Sequence, residues 1–318
     1  MKKFLLLMIV SCSMTLFGET IDINKSEGTD QSVIESLRPA PASPEVDANV
    51  TIEAIFSEAL NPMTTRRSAR LKRLDGTKSQ KGFFGFGPFG SDKSVSGTTD
   101  YDPDRHAVTF IPDQALDVGF YEVSFRHLMT QKPGMMMRID PIVYRFYVPE
   151  VINGFKLPPE PDPKENDATL LGIDFNHNGI RDDVERWIIT HYAKDPKYPR
   201  TKTAIALQYA KASQYIIGHD PKHAYEKKTY EIFDRAMDCK GYFIDKLINN
   251  GVKISDAYMN NDIFNDLKAK MFNTEERSKA YWKFNGSLSG HMLGGGGGVM
   301  SSTRDKCDID IHTLGEIQ

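Results

Sequence analysis

The chain has 318 residues, of which 40% are hydrophobic, and 40 Lys and Arg stand against 43 Asp and Glu for a formal net charge of -3. This is the balance of an ordinary soluble globular protein with room for two domains. It offers no basic footprint for nucleic acid, and beyond the N-terminal segment no apolar run approaches the length that crosses a bilayer.

Met1-Lys2-Lys3 and the apolar run from Phe4 to Phe17 read as a secretory signal, too short to span a membrane as a mature helix. Two processing routes are open. One removes residues 1–18 by cleavage after Gly18; the other uses Ile9-Val10-Ser11-Cys12 as a lipobox and anchors the protein through a lipid on Cys12. The apolar run continues past Cys12 through Met14, Leu16 and Phe17, which favours the first, because a lipid-anchored terminus turns polar at once. Either route implies export to the periplasm or cell surface and withdraws Cys12 from the free thiols. The remaining pair, Cys239 and Cys307, then reads as a disulfide.

Residues 19–45 are polar and dotted with proline (Pro39, Pro41, Pro44), the composition of a linker. Strand signals dominate residues 46–150. Val50 to Phe56 is β-rich, and Ala107 to Ile111, Tyr121 to Phe125 and Val143 to Val148 alternate with period two, which predicts an antiparallel sandwich. The order Phe56-Ser57-Glu58-Ala59-Leu60-Asn61-Pro62, Val95-Ser96-Gly97, Val108-Thr109-Phe110-Ile111-Pro112 and Leu116-Asp117-Val118-Gly119-Phe120-Tyr121 resembles the bacterial Ig-like domain of the S-layer protein SbsA type, over about residues 33 to 149. The resemblance implies a spacer or adhesion module without catalytic residues. It is interrupted at Lys78 to Lys93, where Gly82 to Gly90 carries four Phe among Gly and Pro, a loop expected to fold its rings onto the domain face. Met135-Met136-Met137 reads as packing; copper is the alternative such a soft run raises.

Residues 151–166, with Gly154, Pro158, Pro159, Pro161 and Pro163, read as a second linker. The next stretch is the most informative. From Asp174 to Glu185, oxygen-bearing side chains recur at loop positions 1, 3, 5, 9 and 12 as Asp174, Asn176, Asn178, Asp182 and Glu185. Gly179 stands where the sharp turn needs a left-handed residue, and Ile180 offers a backbone carbonyl at position 7. This spacing predicts a Ca2+ site of six oxygen donors with modest affinity, since Asn replaces Asp at two positions. A polar Asn-Gly turn entering a helix explains part of the pattern, but five correctly spaced oxygens exceed what a turn requires. The loop resembles the calcium repeats of thrombospondin type 3 more than a standard EF-hand, which places its aliphatic residue where Arg181 stands here.

Helical periodicity then runs over Asp183 to Ala193, Thr201 to Ile217, His223 to Ile248 and Asp256 to Leu288, the last divided at an Asn273/Glu276 capping box, so residues 167–318 predict a helical bundle carrying the loop. Gly294 to Gly298 reads as a flexible loop that lets Cys307 reach Cys239. Beyond it, Cys307 to His312 alternates as a strand, placing Asp308, Asp310 and His312 on one face as a weaker metal candidate. No zincin, nucleophile-elbow, phosphate-loop or dinucleotide motif occurs. The expectation is an α+β, two-domain, exported, non-catalytic binding or scaffolding protein with a protein or envelope-component partner. An envelope hydrolase with a site near Ser289 and His291 is the alternative.

Overall fold

Alternation of inward and outward side chains builds two four-stranded antiparallel sheets in the first half. The structure, a computed structural model, describes residues 15–16, 19–20, 33–74, 93–131, 136–224, 228–259, 263–290 and 303–317. Phe4 to Met14 of the N-terminal apolar run, the Phe/Gly insert at 82–90, Met135, His291 and Gly294 to Gly298 lie outside them.

One sheet joins β1 (Ile34–Arg38), β2 (Ile52–Phe56), β6 (Ala107–Pro112) and β5 (Gly97–Asp102) in the order β1-β2-β6-β5. The other joins β8 (Ile142–Val148), β7 (Gly119–Phe125), β3 (Ala69–Leu74) and β4 (Lys93–Val95) in the order β8-β7-β3-β4. These orders are those of an immunoglobulin-like sandwich. A short helix, α1 (Pro62–Thr65), links β2 to β3. The pairing registers set Ile52 opposite Phe110, Ala54 opposite Val108 and Leu71 opposite Val123, all of them buried, so a one-residue slip would turn these side chains to solvent. Tyr121 Oη donates to the Asp117 carbonyl at 2.9 Å, the tyrosine-corner contact of such sandwiches.

Two segments read as linkers are structured. Ile34–Arg38, inside the expected 19–45 linker, pairs with β2, because Val33 and the strand following it find an apolar groove that a local reading does not see. Within 151–166 the chain forms the hairpin β9 (Glu150–Ile152) and β10 (Phe155–Leu157), then α2 (Pro163–Asp167), whose first turn is capped by the Asp162 carboxylate.

The second half is helical: α3 (Asp182–Tyr192), α4 (Pro199–Gly218), α5 (Glu231–Asn249), α6 (Ile254–Met259), α7 (Ile263–Met271) and α8 (Glu275–Ser287). Helix α4 is buried on most of its surface, as expected of a central helix, and Ala204, Ala206, Ala210 and Ala212 are small enough for neighbours to close around it. The third helix starts at Glu231, not near His223, since Pro221–His223 forms a separate 3-10 turn. The α7–α8 break is capped by Thr274, whose hydroxyl accepts from the Arg277 amide, one residue after the expected cap.

Cys239 and Cys307 form the disulfide, with both cysteines buried. The tail around Cys307 is not a strand but two 3-10 turns, Arg304–Lys306 before it and Ile311–Leu314 after it, because Ile311, Leu314 and Ile317 pack into the helical core. Gln208 grips the tail through Lys306 O and Asp308 N, and Glu316 accepts the Arg200 and Thr201 amides at the start of α4, each at 2.8 Å.

Candidate functional site

The loop between α2 and α3 winds around the Asp174 carboxylate. Its Oδ1 accepts from the Asn178 amide at 3.1 Å and its Oδ2 from the Gly179 amide at 2.9 Å. Asn176 Oδ1 also accepts from Asn178 N, and Asn178 Oδ1 from Ile180 N at 2.8 Å. Gly179 has φ +87° and His177 φ 55°, so two left-handed residues produce the tight turn. Ile180 is buried in the helical core, which anchors the far side of the loop.

Glu185, one turn into α3, faces back into this coil. Its Oε1 accepts from Asn178 Nδ2 at 2.8 Å and its Oε2 from Asn176 Nδ2 at 3.2 Å. The two amide nitrogens thus present partial positive charge to the carboxylate, and turning each amide over would present oxygen instead. Asp182 stands apart from these two contacts, since both its oxygens accept the Phe175 amide, at 3.0 and 3.2 Å. Burial pushes Asp182 up to about 8 against that hydrogen bond, with Asp174 and Glu185 adding to the rise. Burial likewise pushes Glu185 up to about 7, opposed by the Asn178 and Asn176 amides. A dication would reverse the logic, favouring the charged carboxylates. Among the described residues no three His, Cys, Asp or Glu side chains are gathered to hold a metal ion. A cation held here would have to draw on the Asn176 and Asn178 amide oxygens as well as on the carboxylates.

Two fully buried arginines, neither read as structural from the sequence, hold the loop and the segment before it to the helices. Arg181 pairs with Asp183 and reaches the end of α7 through Lys270 O at 2.8 Å, Met271 O at 3.4 Å and Asn273 Oδ1 at 3.2 Å. Arg277 donates to Asn166 O, Thr169 O and Leu170 O, and to Asp167 and the same Asn273 oxygen. Gly172, with φ +69°, leaves room for this clamp, since a Cβ there would meet Arg181 Cδ at 2.2 Å. The one available signal was Arg181 itself, which stands where an EF-hand has an aliphatic residue.

The loop also touches the sandwich. The Phe175 ring packs edge-on against Phe120 and Tyr147, with centroids 5.8 and 6.1 Å away. Asn176 Nδ2 donates to Glu45 Oε1 at 3.2 Å.

The other candidates are dispersed. Asp308 pairs with Arg235, Asp310 with Arg304, and His312 with the Tyr242 hydroxyl, so the expected trio on one strand face does not form. Met136 and Met137, expected to pack, are exposed, and Met136 Sδ accepts from Asn61 Nδ2. Ser287 Oγ donates to the Phe284 carbonyl within its own helix, and Ser289 is exposed. No helix among the described residues is long and apolar enough to cross a membrane.

No family model matches the chain, and no curated protein matches it. Among solved structures it is similar to PcoC, a methionine-rich copper resistance protein from Escherichia coli, at 23% identity and TM-score 0.26, covering 36% of this chain and 96% of that one. It is also similar to CopC from Methylosinus trichosporium OB3b, at 19% identity and TM-score 0.25, covering 36% of this chain and 91% of that one. Likeness of this size carries no family assignment.

Proposed function

We propose that this chain is an exported, non-catalytic protein of the cell envelope in which a calcium ion stiffens the joint between a β-sandwich and a helical domain. The ligands are Asp174, Asn176, Asn178, the Ile180 carbonyl and Glu185, with Asp182 holding the loop closed from the first turn of α3. The sandwich is an Ig-like module of the SbsA type serving as spacer or binding surface, and the partner is a protein or envelope component. The observation that carries the reading is the convergence of Asn176 and Asn178 on the buried Glu185, beside a loop wound about Asp174. With only two carboxylates, Asp174 and Glu185, among the five donors, the affinity is about 10⁻⁴ to 10⁻³ M, the range of extracellular modules, where calcium is abundant and the site acts as a constitutive staple.

Isothermal titration of the mature protein with calcium chloride is expected to give one site in that range. Asp174→Ala and Glu185→Ala are each expected to abolish it. An unchanged calcium response in both variants would refute the ligand assignment.

A further inference from the structure

Glu45 belongs to the sandwich yet stands against the loop. Its segment is tied to β8 by Tyr147 N donating to Ser43 O and Val46 N donating to Tyr147 O, each at 3.0 Å. One carboxylate oxygen, Oε2, meets Lys156 Nζ at 3.3 Å, and the same ammonium donates to the Glu45 carbonyl at 3.2 Å. The other, Oε1, accepts from Asn176 Nδ2, the nitrogen that also reaches Glu185. Beside it, Phe175 at loop position 2 rests on Phe120 and Tyr147 of the same sandwich.

An amide serves as a cation ligand only through its oxygen, so its nitrogen must find an acceptor elsewhere. When Glu185 turns to a cation, Asn176 Nδ2 loses that partner and keeps Glu45. We propose that Glu45 is a positioning residue contributed by the sandwich, which orients the Asn176 amide with its oxygen toward the cation, so that calcium affinity depends on the two halves being docked. The inference rests on the calcium reading above and adds a residue from outside the loop. By linkage, calcium then strengthens the contact between the halves by the same factor that docking strengthens calcium binding.

The test compares calcium titrations of the full mature wild-type, Glu45→Ala and Glu45→Gln proteins, with thermal melting of each in EDTA to show that folding is retained. Glu45→Ala is expected to bind calcium about 10-fold more weakly, the usual cost of losing an outer-shell partner. Glu45→Gln keeps an acceptor oxygen for Asn176 and is expected to stay within about threefold of wild type. Unchanged affinity in Glu45→Ala overturns the positioning role while leaving the calcium site standing. Equal weakening in both variants also overturns it, since Glu45 would then act by charge alone. A wild-type protein that takes up no calcium overturns both readings.

Discussion

Replacing Arg277 by Ala tests whether the helical half anchors the segment leading into the Asp174–Glu185 loop on a buried guanidinium. The side chain is fully buried and donates to three backbone carbonyls, at 2.6 Å to Asn166, 3.1 Å to Thr169 and 3.0 Å to Leu170, and to Asn273 Oδ1 at 2.7 Å. Its ion pair with Asp167 adds little, because that carboxylate is 44% exposed and water takes over the lost partner. The carbonyls are different. An acceptor left buried and unpaired costs about 1–3 kcal/mol, and the Asn166 carbonyl is the one enclosed at both ends, while the others gain partial access to water. The expected loss is therefore about 4 kcal/mol, a large part of a stability of roughly 5–15 kcal/mol. Two separate cores imply two transitions in urea, and only that of the helical half is expected to move. Arg277→Lys should recover less than half of the loss, since a single ammonium cannot span carbonyls that the planar fork reaches together. A shift below about 1 kcal/mol for Arg277→Ala would refute the reasoning.

Acidity and redox state provide two further tests. Burial raises Asp182 from 3.8 to about 8 and Glu185 from 4.5 to about 7, so the native chain holds protons that the unfolded chain has already released. In calcium-free buffer these two carboxyls contribute most to the stability of the helical half below about pH 4, and that contribution, on the order of a few kcal/mol, should be lost as pH rises to about 8. Saturating calcium should flatten that slope, and a calcium-free stability rising with pH across the window would contradict the burial of these carboxylates. Cys307→Ser opens a loop whose ends lie 68 residues apart and is expected to cost up to about 4 kcal/mol in denaturant titration. A variant as stable as wild type would show that the packed tail, through Ile311, Leu314 and Ile317, holds without the covalent tie.

The α+β division and the disulfide were readable from the chain because each rests on a local or compositional signal. Alternation from Ala107 to Ile111 and from Tyr121 to Phe125 marks strands whichever strands they meet, and once Cys12 is set aside the two remaining cysteines leave one pairing. The tail shows the opposite case. Cys307 to His312 alternates like a strand, but among the described residues it pairs with no strand, and burial of Ile311 against the helices selects turns. The linker at 151–166 was misread for a related reason. Its prolines suit hairpin ends and the first turn of α2 as well as they suit an extended tether.

Spacing along the chain was enough to bring Asp174, Asn176, Asn178 and Glu185 together, since a twelve-residue loop closes through its own turns and needs no distant partner. What that loop is fastened to was decided only in three dimensions. Arg181 within it reaches Lys270 across 89 residues of chain, and Glu45 meets Asn176 across 131. Such pairings follow from which surfaces exclude water together once both cores have formed, and no periodicity within either segment records them.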